Sequence, residues 1–240
     1  MAIASSPAMR FTVAAAAISS LGQIAYGAAV RSPSAMPASC SGGGTPRYPG
    51  TTAAGWKAVK VAGSLTSPRG LVWDHAGNLL VVQNGKGITA YTPSADGCLG
   101  TGKTVVTQAG LNHGIALSPD GKTLYASSMT TVFQWTYDAA TMATSGAAKT
   151  IISGMYSGGS HVSRTLAIAK SKPNLLVVNH GSNANFDTAT AQSTTGRAIV
   201  KVFDLTKLPA TGAFNYAKDG SVVGYGLRNE IALIFDGNDM

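Results

Sequence analysis

One short pattern occurs three times along this chain of 240 residues. Each copy consists of an apolar strand, a turn that contains Gly, Pro or Asn, and a second apolar strand; the copies begin at Gly70, Gly114 and Thr165. Such turn residues supply the dihedral angles of a β-hairpin at little cost. A further strand follows each hairpin, at residues 87–91, 131–135 and 198–203. The pattern therefore predicts three small antiparallel sheets in succession.

The spacing of the copies is typical of one architecture. Leu71, Ile115 and Leu166 stand at equivalent positions, 44 and 51 residues apart. Repeats of about 40–50 residues with about four strands each are the signature of propeller blades. The 29 Gly and 10 Pro make turns frequent, which disfavours a helical bundle. We therefore predict an all-β fold, a β-propeller, with an irregular β-sandwich as the alternative.

A fourth copy begins near the end of the sequence. Residues 231–235 have the composition of its first strand and residues 236–238 that of its turn, and the sequence stops at Met240. About three and a half blades cannot close into a ring and so cannot remove the edges of the sheets. We expect residues 52–240 to form a partial propeller that belongs to a longer protein.

The first 29 residues have the pattern of a secretory signal peptide. Arg10 supplies the positive charge, an apolar stretch covers residues 11–25, and small residues follow as a cleavage site. The stretch is too short to span a membrane comfortably. Residues 30–51, rich in Ser, Pro and Gly, are predicted to be a flexible lead-in. The sequence thus predicts an extracellular protein with no membrane segment after signal cleavage.

Cys40 and Cys98 are the two cysteines of the sequence. In an oxidising compartment they are expected to form a disulfide that ties the lead-in to the first blade. Two unpaired buried thiols are the alternative. Because the two residues lack a CxxC spacing, they do not form a metal chelate by themselves.

The net charge of +8 results from a scarcity of acidic residues, since Glu230 is the single glutamate and nine residues are Asp. The basic residues lie singly, without a run that could follow a phosphate backbone, so no nucleic-acid partner is expected. Residues 97–104 match the phosphate-loop pattern G-x-x-x-x-G-K-T, but β-branched residues follow instead of a helix. We interpret this segment as a connection between two strands of a blade.

The four histidines differ in their sequence context. His75 falls in a predicted hairpin turn and His113 just before a strand, which indicates surface or structural positions. His180 falls in a predicted loop. His161 lies in the glycine-rich segment 158–165, immediately before an inner strand, where propeller residues face the central channel or its rim. His161 is therefore a candidate functional residue, with a structural role as the alternative.

Arg228 and Asn229 stand at the corresponding position of the fourth copy. The arginine presents a fixed fork of donors for carboxylate or quinone oxygens, and the asparagine offers a donor and an acceptor. A contact between blades is the alternative role of the arginine.

Four segments in this order resemble a known family; they are residues 161–165, 181–187, 196–197 and 226–229. The family is the pyrroloquinoline-quinone-dependent sugar dehydrogenases, in particular the secreted fungal pyranose and sorbosone dehydrogenases. The resemblance extends roughly from Trp56 to Met240. It implies a six-bladed propeller that holds the quinone and calcium over its central channel. It also implies the oxidation of a sugar hydroxyl or hydrated aldehyde.

The resemblance implies a role for three residues. His161 matches the general base, which takes the hydroxyl proton while a hydride passes to the quinone. Arg228 matches the arginine over the quinone carbonyls, and Asn229 matches its neighbour on the same quinone edge. Electrons then leave to an acceptor, which in some fungal members is a cytochrome.

Two departures from the family pattern affect these expectations. Bacterial members use a carboxylate to orient the base, whereas the matching loop position here is His180, with Asp187 further along. The calcium ligands and the other quinone-binding basic residues are expected beyond Met240, so no metal ligand is assigned in this chain. We do not expect these 240 residues to be active alone.

Two other functions stay open at this point. A calcium-dependent lactonase-type propeller uses side-chain Glu, Asp and Asn around a channel metal, and Glu230 is the single Glu available. A secreted carbohydrate- or protein-binding propeller without catalysis is the non-enzymatic alternative.

Overall fold

The computed structural model of the protein describes residues 37–48, 50–210 and 212–235. The predicted signal peptide and the first residues of the lead-in lie outside this range. None of the helices in the described ranges has the length and apolarity needed to span a membrane.

The first sheet contains four antiparallel strands in chain order: β1 (Pro68–Trp73), β2 (Leu79–Gln83), β3 (Gly87–Tyr91) and β4 (Lys103–Val106). The second sheet adds β5 (Leu111–Leu117), β6 (Thr123–Ser128), β7 (Val132–Asp138) and β8 (Ala143–Ser153). The third contains β9 (Leu166–Ile168), β10 (Leu175–His180), β11 (Ile199–Asp204) and β13 (Ser221–Tyr225). The short strand β12 (Phe214–Asn215) pairs in parallel with β8 of the second sheet. Three short 3-10 helices complete the elements: Thr188–Ala191, Ser193–Thr195 and Leu205–Lys207.

The three predicted hairpins are confirmed as the first two strands of each sheet. Leu71 is opposite Val81 in the first sheet, and Ala116 is opposite Tyr125 in the second. Each sheet is a blade of the predicted β-propeller, and the inner strands β1, β5 and β9 lie side by side. The phosphate-loop-like segment is a connection between β3 and β4, as the strand interpretation predicts.

The inner strands approach one another closely at two glycines of the repeat. A Cβ atom at Gly70 would overlap the carbonyl oxygen of His113, and one at Gly114 would overlap that of Arg164. A side chain at either position would push neighbouring blades apart, which explains why both copies have glycine there.

The core lies between successive blades, where buried side chains of facing sheets meet. One cluster joins the first two blades and includes Leu80, Val82, Leu111 and Leu124. Another joins the second and third blades and includes Ile151, Ile152, Leu176 and Val178. Full burial of one such side chain contributes about 1.5–3 kcal/mol, so these contacts fix the arrangement of the blades.

Cys40 and Cys98 form a disulfide, with their Cα atoms 5.5 Å apart. It joins the lead-in to the connection between β3 and β4, where the backbone N–H of Leu99 also donates to the carbonyl of Val61.

Two local predictions are wrong. Residues 231–235 form no strand in the structure, and within the described ranges they pair with no other strand. His180 does not lie in a loop; it is the last residue of β10 and is buried. β10 extends beyond its apolar residues, because Asn179 and His180 continue the ladder with β11.

Candidate functional site

The segments that carry the predicted site residues meet at one edge of the third blade. Strands β9, β10, β11 and β13 are antiparallel to their neighbours. The start of β9, the end of β10, the start of β11 and the end of β13 therefore lie at the same edge, which we call the site edge. Residues 158–165, 181–198 and 226–230 are the loops of the site edge.

His161 is almost fully buried at the site edge, with 9% of its surface exposed. Its Nδ1 atom lies 2.8 Å from the hydroxyl oxygen of Ser182 and 3.1 Å from the carbonyl oxygen of the same residue. The Ser182 hydroxyl in turn donates to the carbonyl of Ala184, at 2.8 Å. Among the described residues, none makes a hydrogen bond to Nε2 of His161. One ring nitrogen is thus anchored and the other is left for a ligand.

Arg228 is held against the same loop. Its carbonyl oxygen accepts a hydrogen bond from the backbone N–H of Ser182, at 2.7 Å. Its guanidinium is exposed and donates to Oδ1 of Asn185, at 2.5 Å. Gly181 lies between the two candidate residues, since a Cβ there would be 2.7 Å from Cβ of His161 and 3.2 Å from the carbonyl oxygen of Arg228. The structure therefore brings His161 and Arg228 together through Gly181 and Ser182.

Asn229 and Glu230 continue this loop towards the inner strands. The carbonyl of Glu230 accepts hydrogen bonds from the Thr165 hydroxyl, at 3.1 Å, and from the side-chain amide of Asn179. Oδ1 of Asn229 and Oε2 of Glu230 are buried and have no partner within the described ranges. The Asn229 side chain thus retains an acceptor for a further group at the site edge.

Arg164 is completely buried beneath His161. Its guanidinium donates to the carbonyls of His161, Ser163 and Tyr156, at 3.1, 3.0 and 2.7 Å. Burial lowers the pKa of Arg164 to about 10, so the side chain stays protonated at neutral pH. A cation that satisfies three carbonyls holds the loop of His161 in one conformation.

His180, which stands at the matching loop position of the family pattern, does not hydrogen-bond His161. Its ring lies 2.8 Å from the carbonyl of Gly181 and 3.1 Å from that of Tyr156. Burial, followed by the charge of Arg164, lowers the pKa of His180 to about 4. The side chain points into the core because alternate residues of a strand share one face, and Val178 of the same face is also buried.

Asp187 does not contact His161 either. Its carboxylate pairs with the guanidinium of Arg197, at 2.6 and 3.0 Å, and accepts from the backbone N–H of Asn183, at 2.8 Å. The hydrogen bond from Arg197 lowers the pKa of Asp187 to about 2. Asp187 therefore closes the loop that contains Ser182 instead of orienting the histidine.

Ser182 is the contact of His161 that the sequence did not reveal. A serine in a Gly-Ser-Asn loop has the composition of an ordinary turn. The available signal was its position. Ser182 lies two residues beyond the end of β10, and β10 is the neighbour of β9, the strand that follows His161.

In the described part of the chain, no group of three or more His, Cys, Asp or Glu side chains could hold a metal ion.

Comparison with known proteins places the chain in a family. The family model described as TrAA12-like matches residues 50–240. The pyrroloquinoline quinone-dependent pyranose dehydrogenase of Coprinopsis cinerea is 41% identical over 198 residues, which cover 82% of this chain and 27% of that protein. The pyrroloquinoline quinone-dependent sugar dehydrogenase of Hypocrea jecorina (strain QM6a) is 34% identical over 192 residues, which cover 78% of this chain and 44% of that protein.

A solved structure agrees with these sequences. The holo form of the pyranose dehydrogenase PQQ domain from Coprinopsis cinerea is 41% identical and superimposes with a TM-score of 0.75, covering 80% of this chain and 46% of that one. The chain belongs to the TrAA12-like family, and the resemblance inferred from the four motifs is confirmed. It spans less than half the length of the curated relatives it matches.

Proposed function

We propose that the protein is a secreted quinoprotein that oxidises a sugar of the pyranose, aldose or sorbosone type by hydride transfer to pyrroloquinoline quinone. Membership of the TrAA12-like family and the names of two curated relatives support this proposal. The observation that carries it is the anchored His161, whose Nε2 is left for a ligand, on the loop to which the backbone of Arg228 is also bonded.

The residues at the site edge fit an anionic quinone in chemical terms. Pyrroloquinoline quinone carries carboxylates and quinone oxygens, which are acceptors for a guanidinium. Arg228 presents its exposed guanidinium there, and Asn229 has a side-chain oxygen without a partner in the described ranges. These two residues are the ones that would hold the cofactor. When bound, the quinone supplies a two-electron acceptor for the hydride.

His161 acts on the sugar hydroxyl in this proposal. Its Nε2 accepts the hydroxyl proton, and the C–H bond of the same carbon breaks as the hydride leaves, so that a carbonyl forms. A positioned general base contributes about 10²–10⁴-fold to the rate. Arg228 places a positive charge at the edge where negative charge develops, which stabilises the transition state.

Calcium is part of the proposal as a second cofactor, with ligands outside the described residues. No His, Cys, Asp or Glu group in the described ranges forms a metal site, so the roles of His161 and Arg228 are derived without it. Fewer than half of the residues of the solved domain are matched, and the full activity therefore belongs to the complete protein.

The proposal includes an extracellular location and an external electron acceptor. The Cys40–Cys98 disulfide supports export, because disulfides persist in oxidising compartments. The signal-peptide pattern at residues 1–29 supports it independently. A cytochrome or another electron acceptor is the proposed partner after the sugar.

The test uses the protein expressed from its complete coding sequence. We expect a saturable absorbance change on addition of the quinone and sugar-dependent reduction of a dye. His161→Ala should lower kcat by about 10²–10⁴-fold, whereas His75→Ala, at an exposed turn, should retain the activity.

The competing functions give different results in the same experiment. A lactonase hydrolyses its substrate without quinone, and a carbohydrate-binding propeller binds sugar without turnover. If the complete protein binds no quinone, the dehydrogenase proposal is wrong.

A further inference from the structure

We propose that Ser182 is a positioning residue, which fixes His161 in the tautomer that is protonated at Nδ1 and leaves the lone pair on Nε2. The inference deepens the proposed function and rests on it for its catalytic consequence. Its structural part depends only on the hydrogen bonds of these two residues.

The directions of the hydrogen bonds determine the tautomer. The carbonyl oxygen of Ser182 can only accept, and it lies 3.1 Å from Nδ1 of His161. The Ser182 hydroxyl has a single hydrogen, which it donates to the carbonyl of Ala184. Towards Nδ1, at 2.8 Å, the hydroxyl therefore offers a lone pair. Two acceptors face Nδ1, so Nδ1 carries the hydrogen, and the neutral ring has its lone pair on Nε2.

The backbone position of Ser182 is itself fixed by three contacts of its loop. The backbone N–H of Ser182 donates to the carbonyl of Arg228, at 2.7 Å. Gly181 packs directly against Cβ of His161. The next backbone N–H, that of Asn183, donates to the carboxylate of Asp187. These contacts hold the backbone of Ser182 in place, and the bond from its hydroxyl to the carbonyl of Ala184 keeps the side chain beside the ring.

The experiment combines spectroscopy with kinetics on the protein expressed from its complete coding sequence. The ¹⁵N chemical shifts of the histidine rings in the quinone-free protein report which nitrogen carries the hydrogen, and the His161→Gln spectrum assigns the signal. Ser182→Ala removes the hydroxyl, Ser182→Thr retains it, and Ser160→Ala is the matched control. The Ser160 hydroxyl bonds the same loop, at the carbonyl of Asn183, without touching His161.

We expect His161 to be protonated at Nδ1 in the wild type, in Ser182→Thr and in Ser160→Ala. In Ser182→Ala the Nε2-protonated form should appear beside the Nδ1-protonated form, because Nδ1 loses one of its two acceptors and keeps the backbone carbonyl of residue 182. We expect kcat to fall about tenfold with little change in KM, since the ring also loses a contact that orients it.

Two results separate this inference from the proposed function. A wild-type ring protonated at Nε2, or a Ser182→Ala variant with unchanged tautomer and kcat, overturns the positioning role. If the tautomer depends on Ser182 but the quinone-loaded protein oxidises no sugar, the proposed function is wrong and the positioning role is supported.

Discussion

Arg164 and His180 are two buried basic residues that share a carbonyl partner, with no carboxylate bonded to either of them in the described ranges. The guanidinium of Arg164 donates to the carbonyl oxygen of Tyr156, and Nε2 of His180 lies 3.1 Å from the same oxygen. Arg164 retains its charge, and this charge together with burial keeps His180 neutral. A second positive charge in this pocket is unfavourable, so the pocket is sensitive to acid.

The stability of the protein should fall as the pH falls through the titration range of His180. The unfolded-state pKa of a histidine is about 6.5 and the folded value here is about 4, so the unfolded chain binds the proton first. Stability is thus lost progressively from pH 6.5 down to pH 4, by roughly 3 kcal/mol in total. Urea unfolding across this range measures the loss.

The matched variants for that measurement are His180→Gln and His75→Gln. The first should flatten the pH dependence between pH 6.5 and 4, and the second, at an exposed histidine, should leave it unchanged. The pKa of Asp187 is lowered from 3.8 to about 2, where its pairing with Arg197 is lost. The loss of stability that Asp187 causes therefore occurs at lower pH than the loss that His180 causes. An unchanged slope in His180→Gln would show that another group causes the acid sensitivity.

Among the elements, the loop that leaves β10 packs closely against the candidate base. We expect Gly181→Ala to destabilise the protein by about 1–3 kcal/mol and to reduce the activity of the complete enzyme, since the added methyl would lie 2.7 Å from Cβ of His161. Thermal unfolding and the sugar-dependent kcat measure the two effects.

Gly100→Ala is the control for this change. Gly100 lies in the loop before β4, and a Cβ atom added there would meet open space, with no neighbouring atom within 4 Å. If both glycine variants behave alike, close packing at Gly181 is not what places His161.

The strands could be predicted from the sequence more completely than the site. Each repeat has apolar residues on both sides of a turn, and the local turn chemistry at Asn78 and Gly121 is sufficient to define a hairpin. The site depends on contacts across loops. Ser182 reaches His161 only because β9 and β10 are neighbours, and the burial of His180 depends on Arg164 and Tyr156. The repeat marks the positions of His161 and Arg228, but their hydrogen-bond partners lie on other loops, where local turn chemistry does not identify them.

The wrong prediction of a strand at residues 231–235 has a related cause. Its apolar composition is that of an inner strand, as in β1 and β5. A strand also needs a hydrogen-bonded neighbour, and the neighbour is a property of the whole sheet and not of the segment.

At the scale of the whole molecule, the disulfide closes a long loop of chain. Cys40 and Cys98 are 58 residues apart, for which the chain-entropy relation gives a stabilisation of about 4 kcal/mol. We expect a reductant to lower the Tm of the wild type. The Cys40→Ser/Cys98→Ser double variant should start from the lower Tm and show no response to the reductant. A wild-type Tm that is insensitive to reductant would mean that the lead-in adds no stability to the blade.

The short strand β12 connects two blades in a way that matters for their movement. It belongs to the chain of the third blade, yet it pairs with β8 of the second, and the backbone N–H of Tyr216 donates to the carbonyl of Ser153. The ring of the same tyrosine is buried, and its hydroxyl donates to the carbonyl of Ile199 in β11. The two blades are therefore joined by backbone hydrogen bonds as well as packed face to face. This connection restrains hinge motion of the third blade, which carries the site edge.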